Sequence, residues 1–437
     1  MLASSLSVRE RSVPRWLYTI ILRLVFPLIW LRLWLRGRQS PQYRLRWRER
    51  MGFTRASQPV RQPLWIHAVS VGETLAAQPL IAAIRAQYPD LPLLITTMTP
   101  TGSERVRAIW GDAVHHVYAP YDYPSAIERF LRHWRPCALV VMETELWPNT
   151  LAAAKAQRLP VLLANARLSE RSARGYRKAG ALTRELLTAI SVVAAQDAAT
   201  AERFRALGMP DERVVVTGSL KFDLSITPAQ VALAQTWRAQ PGLQDRPIWV
   251  AASTHAGEDA LMLAAHAQLR QQLPTALLIL VPRHPERFDA VAQQIQAAGL
   301  CSARRSRDEP ILPSTSVWLG DSMGELLSYL ALAQAAFVGG SLVPTGGHNV
   351  LEPLALGVPA LTGPHDFNFA TINAELRAVG ALQTVHDATE LANALARLLT
   401  NADARQEQVS AGQAVLDANR GAVSRQMAVL TPLLLSP

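Results

Sequence analysis

The sequence predicts an α/β protein of two doubly wound, Rossmann-like domains behind an apolar, basic N-terminal arm. Three observations predict it. From Pro63 onward, short apolar runs alternate with helical stretches, the pattern of parallel sheets with crossover helices. The alternation runs twice, on either side of a looser Gln/Ala/Pro-containing connector at 227–246. And 437 residues, 49% of them hydrophobic, exceed one ordinary core and suit two.

The arm comes first. Residues 1–61 carry 13 Arg, no Lys and two Glu, a net of +11, while the remaining chain sums to −1. The basic charge therefore belongs to an arm and not to a nucleic-acid-binding body. Within it, WLYTIILRLVFPLIWLRLWL at 16–35 is apolar and about long enough to span a bilayer. Arg23 and Arg32 interrupt it, Pro27 stands midway, and Trp16, Trp30 and Trp34 suit interfacial anchoring. A basic run follows: Arg36, Arg38, Arg44, Arg46, Arg48 and Arg50. No small-residue cleavage site follows, so a cleaved signal peptide is not expected. Spanning, interfacial and buried-core placements compete. Two internal arginines are costly in a spanning helix, so the interfacial form, with arginines snorkelling to anionic head groups, is preferred. In either membrane form the basic flank stays cytoplasmic. Only Cys137 and Cys301 occur, which indicates neither a disulfide framework nor a zinc site.

Along the first half, strands are expected at 64–69, 92–97, 138–142, 161–164, 192–195 and 214–217. Helices are expected at 74–88, 102–110 and 150–157. The second half predicts strands at 248–252, 276–281, 317–319, 335–338 and 358–361. Its helices fall at 258–272, 287–297, 323–333 and from about 349, and 387–430 is mostly helical. The expected bounds are 1–50 for the anchor, 60–225 for the first domain and 245–430 for the second. Two such domains facing a cleft place ligands at the carboxyl ends of their strands.

Several polar clusters fall at those ends. His67-Ala-Val-Ser70-Val-Gly72-Glu73 stands where the first strand turns into a helix. A carboxylate at Glu73 is favoured by the helix dipole alone, and it is also placed to act as a general base. Glu143 and Glu145 follow another apolar strand, ahead of Trp147-Pro148-Asn149. Lys221, between Leu220 and Phe222, is an anion candidate or a surface Lys paired with Asp223. Arg167 is a second anion candidate. In the second half, Thr254-His255 precedes a helix with Glu258 in its first turn, and Pro282-Arg283-His284 forms a basic strand-end loop. Gly320–Leu326 reads as a helix N-terminus offering N–H donors.

The stretch 338–364, VGGSLVPTGGHNVLEPLALGVPALTGP, is the most informative. Two glycine pairs, Gly339-Gly340 and Gly346-Gly347, lead from a strand into a helix, an arrangement that presents backbone N–H groups to an anion. Glu352 would repel a phosphate and better accepts ribose hydroxyls. A nucleotide or nucleotide-sugar site is the functional reading; a plain βαβ crossover is the alternative.

SVGETLAAQPL, TTMTPTGSERV, METELWPN, NARLS, VTGSLKFD, VPRHPERF, GDSMGEL and FVGGSLVPTGGHNVLE together resemble the 3-deoxy-D-manno-octulosonic acid (Kdo) transferases of lipopolysaccharide biosynthesis, over nearly the whole chain. The resemblance implies a GT-B glycosyltransferase: an acceptor domain at 60–225 and a CMP-sugar-binding domain at 245–430. It implies inverting transfer of Kdo from CMP-Kdo to a lipid A precursor, lipid IVA, at the cytoplasmic side of the inner membrane, with no metal and no cofactor. Anionic membrane lipids are implied partners and nucleic acid is not. Carried over by motif, Glu73 matches the general base, and Glu145 and Lys221 match residues supporting the transition state. Pro282 and Arg283, Met323, Gly324 and Glu325, and Asn349, Val350, Leu351 and Glu352 match CMP-binding segments. Two departures stand out: Val350 where the family has Pro, and Pro344 where an acid is usual. Two other readings remain at this point, a membrane-associated GT-B transferase using a UDP-sugar and an inactive lipid-binding adaptor. The Asp-x-Asp that metal-dependent transferases use is absent from the sequence.

Overall fold

Parallel strands covered on both faces need near-continuous apolar runs, and the chain supplies them in two sets. The computed structural model describes residues 14–39, 41–54, 62–224 and 226–435. Two units form: Met1–Asp223 with Gly421–Pro437, and Leu224–Arg420.

The first unit's sheet holds β1 (Leu64–His67), β2 (Leu93–Thr97), β3 (His115–Tyr118), β4 (Ala138–Met142), β5 (Val161–Ala166), β6 (Val192–Ala195) and β7 (Val214–Val216). Their order is β3-β2-β1-β4-β5-β6-β7, all neighbours parallel. Alternate residues serve opposite cores. Leu64, Ile66, Val140 and Met142 pack under the helices Val71–Gln87 and Ala422–Leu435, while Trp65, Leu139 and Val141 pack with Phe130, Trp134 and Leu151 on the other face. The strand order reverses between β1 and β4, so the loops after those strands open side by side, the usual ligand position in an open parallel sheet.

The second unit repeats the scheme with β8 (Ile248–Thr254), β9 (Leu277–Pro282), β10 (Ser302–Arg304), β11 (Val317–Leu319), β12 (Ala335–Val338), β13 (Ala360–Thr362) and β14 (Leu382–Thr384). Their order is β10-β11-β9-β8-β12-β13-β14, again parallel throughout, with the reversal between β8 and β12.

The structure departs from the sequence reading in several places, among them the helices Pro124–Trp134 and Ala370–Ala378, which had no expectation. The connector contains a helix, Pro228–Arg238, started by a capping box between Thr227 and Gln230. The short outer strands β3, β10 and β14 had no expectation. And the second unit ends at Arg420, not 430, because Ala422–Leu435 returns to the first unit. Asp223 begins that return: its two carboxylate oxygens accept from Gly421 N–H (2.8 Å) and Val423 N–H (2.6 Å). Asp223, the Lys221 partner in the alternative reading, thus serves as a helix cap.

Among the described residues, Arg15–Gln39 is a helix long and apolar enough to cross a membrane. It is two-faced. One side docks on the first unit: Tyr123 Oη donates to Leu22 O (2.9 Å), Phe26 meets Tyr123 edge-on at 5.3 Å, and Trp30 meets Trp47 at 4.1 Å. The other side exposes Trp16, Ile20, Leu24, Leu28, Leu31 and Leu35, a stripe at helical spacing. A core helix would bury that stripe, so the buried-core reading is excluded.

Candidate active site

The first unit's switch point collects acids. Ser70 caps the helix Val71–Gln87, its Oγ accepting from Glu73 N–H (3.2 Å). The Glu73 carboxylate folds back: Val69 N–H donates to Oε2 (2.8 Å) and Ser70 Oγ–H to Oε1 (2.8 Å). The carboxylate thus closes the helix start together with its Ser70 cap, which accounts for the helix-start reading of Glu73. Its electrostatics are not those of an ordinary cap. Burial pushes the Glu73 carboxyl up to about 8, with the Ser70 and Val69 hydrogen bonds opposing and the Glu145 and Glu143 charges adding.

Those two acids come from the loop after β4, across the switch point. Glu143 holds a positive φ of 55°, uncommon without glycine and a sign of a constrained loop. Glu145 Oε2 accepts from Trp147 Nε1 (2.8 Å), and the Trp147 ring packs edge-on against His67 at 4.6 Å. Lys221, half-buried after β7, is pulled down by burial, against the raising effect of Glu143. Glu73, Glu143, Glu145 and Lys221 thus lie within electrostatic reach as a group, with acids outnumbering the lysine. Asn165, at the end of β5, aids the seating of Lys221: its Oδ1 accepts from Leu220 N–H (3.1 Å).

The second unit's switch point is cationic and polar. Its four central strands end side by side in the order β11-β9-β8-β12, and they carry the predicted nucleotide segments. Pro282 ends β9 and Arg283 follows it, its N–H donating to Thr254 O (3.0 Å). After β11 come Met323, 58% exposed, and Gly324 at φ +86°. Glu325 follows, its carboxylate accepting from Arg305 Nε (3.1 Å) and Nη2 (2.9 Å) and held low chiefly by Ser322 and Arg305, against burial. The helix here is Leu326–Leu332, later than expected at 323. After β12, Asn349 Oδ1 accepts from Leu351 N–H (3.2 Å), and Asn349 Nδ2 lies 3.5 Å from Glu352 Oε1. The helix that follows is one short turn, Leu351–Ala355.

One expectation is corrected. The first glycine pair does not present its N–H groups to a ligand. Gly340 N–H donates to Glu258 Oε2 (2.7 Å), and Ser341 and Leu342 N–H to Oε1 (both 2.9 Å). His255 N–H adds a fourth bond to Oε2 (2.8 Å). Gly339 is needed because a Cβ there would stand 2.7 Å from Ser253 O and 3.0 Å from Glu258 Oε2. The loop is therefore tied to a buried carboxylate and is not an anion cradle.

The residue that the sequence reading missed is His348. Its Nε2 meets His255 Nε2 at 2.8 Å, the rings stack 5.0 Å apart, and His284 meets His255 edge-on at 5.2 Å. Burial drives His348 down to about 3, helped by Arg283, His255 and His284, and burial also lowers His255. One imidazole N–H therefore donates to its neutral partner, beside the Arg283 guanidinium. The position of His348 between a glycine pair and a helix start was the available signal.

Two parallel doubly wound sheets, each gathering polar groups at its switch point, define a two-domain α/β glycosyltransferase fold of the GT-B type. The chain is similar in fold to UDP-GlcNAc 2-epimerase from Neisseria meningitidis bound to UDP-GlcNAc, at 16% identity and a TM-score of 0.55 over 82% of this chain and 98% of that one. The sequence model of the 3-Deoxy-D-manno-octulosonic-acid transferase (kdotransferase) family matches residues 45–224. The 3-deoxy-D-manno-octulosonic acid transferase of Haemophilus influenzae is 45% identical over 96% of this chain and 99% of that protein. The C-terminal CMP-Kdo binding domain of WaaA from Acinetobacter baumannii is 40% identical over 44% of this chain and 99% of that one, with a TM-score of 0.42. The chain belongs to the Kdo transferase family and is a glycosyltransferase.

Proposed function

We propose that this protein transfers Kdo from CMP-Kdo to a lipid A precursor, lipid IVA, at the cytoplasmic face of the inner membrane. The observation that carries the proposal is the Glu73 carboxyl, buried at a switch point and pushed up to about 8 with Glu145, Glu143 and Lys221 around it. A carboxylate with that proton affinity suits a general base acting on a sugar hydroxyl.

In the proposed reaction, Glu73 accepts the proton of a glucosamine hydroxyl. That oxygen bonds to Kdo C2 as the C2–O bond to the CMP phosphate breaks, which inverts the anomeric centre. The centre gains positive charge as it opens, and Glu145 and Glu143 stabilise it. The electrons leave on the phosphate, which Arg283 or Lys221 neutralises in place of a metal ion. The segments 282–283, 323–325 and 349–352 hold the nucleotide, with Glu352 accepting ribose hydroxyls. The stripe Trp16, Ile20, Leu24, Leu28, Leu31 and Leu35 lies in the membrane interface, its arginines among anionic head groups. The docked opposite face of that helix favours this placement over a free span.

The test is mass spectrometry of tetra-acylated lipid IVA incubated with the protein and CMP-Kdo generated in situ. A mass gain of one or more Kdo units is expected. No gain with CMP-Kdo but transfer from a UDP-sugar would replace the donor; no transfer from either would favour an inactive adaptor.

A further inference from the structure

The N-terminal helix reaches the start of the helix that follows the acidic loop after β4 at a buried amide, beside a second tie in which the Tyr18 hydroxyl donates to Asp122, and the reaction proposed above uses neither. Asn149, 2% exposed, sits in the first turn of the helix Pro148–Ala156. Its Oδ1 accepts from Arg15 Nη1 and Thr19 Oγ1, both at 3.1 Å. Its Nδ2 donates to Asp122 O (2.6 Å). Arginine has only donors, so Arg15 fixes which way the amide faces. The helix start has no cap of its own, because Trp147 at the N-cap offers no oxygen. Asp122, from the loop after β3, caps it from outside: Asn149 N–H donates to Oδ2 (2.9 Å), and Thr150 N–H and Oγ–H donate to Oδ1 (both 2.7 Å). Two residues before Asn149, Trp147 holds Glu145 through its indole N–H.

We infer that Asn149 is a positioning residue: it latches the membrane-facing N-terminal helix to the loop carrying Glu145, so that seating of that helix sets the geometry of the acids beside Glu73. The helix reaches Asn149 from its docked side while its other side exposes the apolar stripe, so a shift at the membrane arrives at the loop through this amide and the Tyr18–Asp122 bond beside it. The inference rests on the transferase reading for its consequence, but its structural half stands apart from it.

The test uses the full chain, with the α-helical side of the latch altered and the Asp122 cap left intact: Thr19→Val, Arg15→Gln and the double variant. Two readouts are taken in vesicles containing anionic phospholipid. One is hydrogen–deuterium exchange across 143–151; the other is kcat and KM for transfer to lipid IVA. The double variant should exchange faster at 143–151. Its kcat should fall about ten- to a hundredfold, as a displaced catalytic group does, with KM for CMP-Kdo and vesicle flotation unchanged. Thr19→Ser should behave as wild type. Unchanged exchange at 143–151 in the double variant would overturn the latch whatever the reaction proves to be. Faster exchange with full kcat would overturn the positioning role alone. A wild-type protein that transfers no Kdo would remove the reaction, leaving the exchange result to decide the latch.

Discussion

Glu73 and Glu258 stand at equivalent places, in the first turn of the helix that follows the first strand of each sheet, yet their carboxylates are held differently. Glu258 is fully buried and accepts four backbone N–H bonds, from His255, Gly340, Ser341 and Leu342. It closes one side of the second switch point into a rigid frame. Glu73 accepts only two, from Val69 and Ser70, and faces the charges of Glu145 and Glu143. The difference teaches that a helix-start carboxylate is structural when its lone pairs are all engaged by N–H donors. It is available for chemistry when it is buried short of donors.

The comparison breaks most sharply at Glu258. Replacing it with Ala strands four buried N–H groups at about 1–3 kcal/mol each, so Glu258→Ala should lose roughly 4 kcal/mol or more. Chemical denaturation should show the second unit's transition moving to lower denaturant. An unchanged midpoint would mean the loop re-pairs elsewhere.

Next comes the cationic side of the same switch point. Arg283→Ala should weaken CMP binding about ten- to a hundredfold by calorimetry, the loss of one charge-assisted phosphate contact. Equal affinity would move the phosphate away from His255 and His348.

Glu73 sharpens the comparison through stability. Its folded pKa is near 8, above the roughly 4.3 of a free Glu, so between those values the folded state holds a proton that the unfolded chain has lost. Stability is therefore lost as pH rises through that window. Glu73→Gln removes the titrating group and should be more stable than wild type by about 2 kcal/mol at pH 9, with the gap closing by pH 5. A gap that widens on acidification would reverse the assigned shift.

The smallest effect is expected at Asp223, where Ala should cost about 1–2 kcal/mol as a lost helix cap. Thermal melting should show it without any change in CMP affinity.

Much of this was legible in the sequence. The period and strand-end chemistry placed Glu73, Glu145, Lys221 and Arg283 at carboxyl ends, since each lies within a few residues of an apolar run that could only be a buried strand, and Glu352 at the helix start after the next such run. What was illegible depended on distant partners. The glycine pair at 339–340 looks like an anion cradle until Glu258, 82 residues earlier, claims the Gly340 N–H. The C-terminal helix looked like part of the second domain because Asp223, its cap, lies 198 residues before Gly421. The outer strands β3, β10 and β14 read HHVY, SAR and LQT, too polar to stand out as the apolar runs that mark the other strands. The helix Pro228–Arg238 was written in its Thr227…Gln230 box, but the Gln- and Ala-rich composition masked it.

The most direct measurement is single-turnover Kdo transfer by wild type and Glu73→Gln, with CMP affinity measured on both proteins. The account predicts a loss of about a thousandfold in transfer, the scale of a removed general base, with CMP affinity unchanged because the proposed nucleotide segments lie in the other unit. Near-normal transfer by Glu73→Gln would contradict it and return that carboxylate to the role of a helix cap.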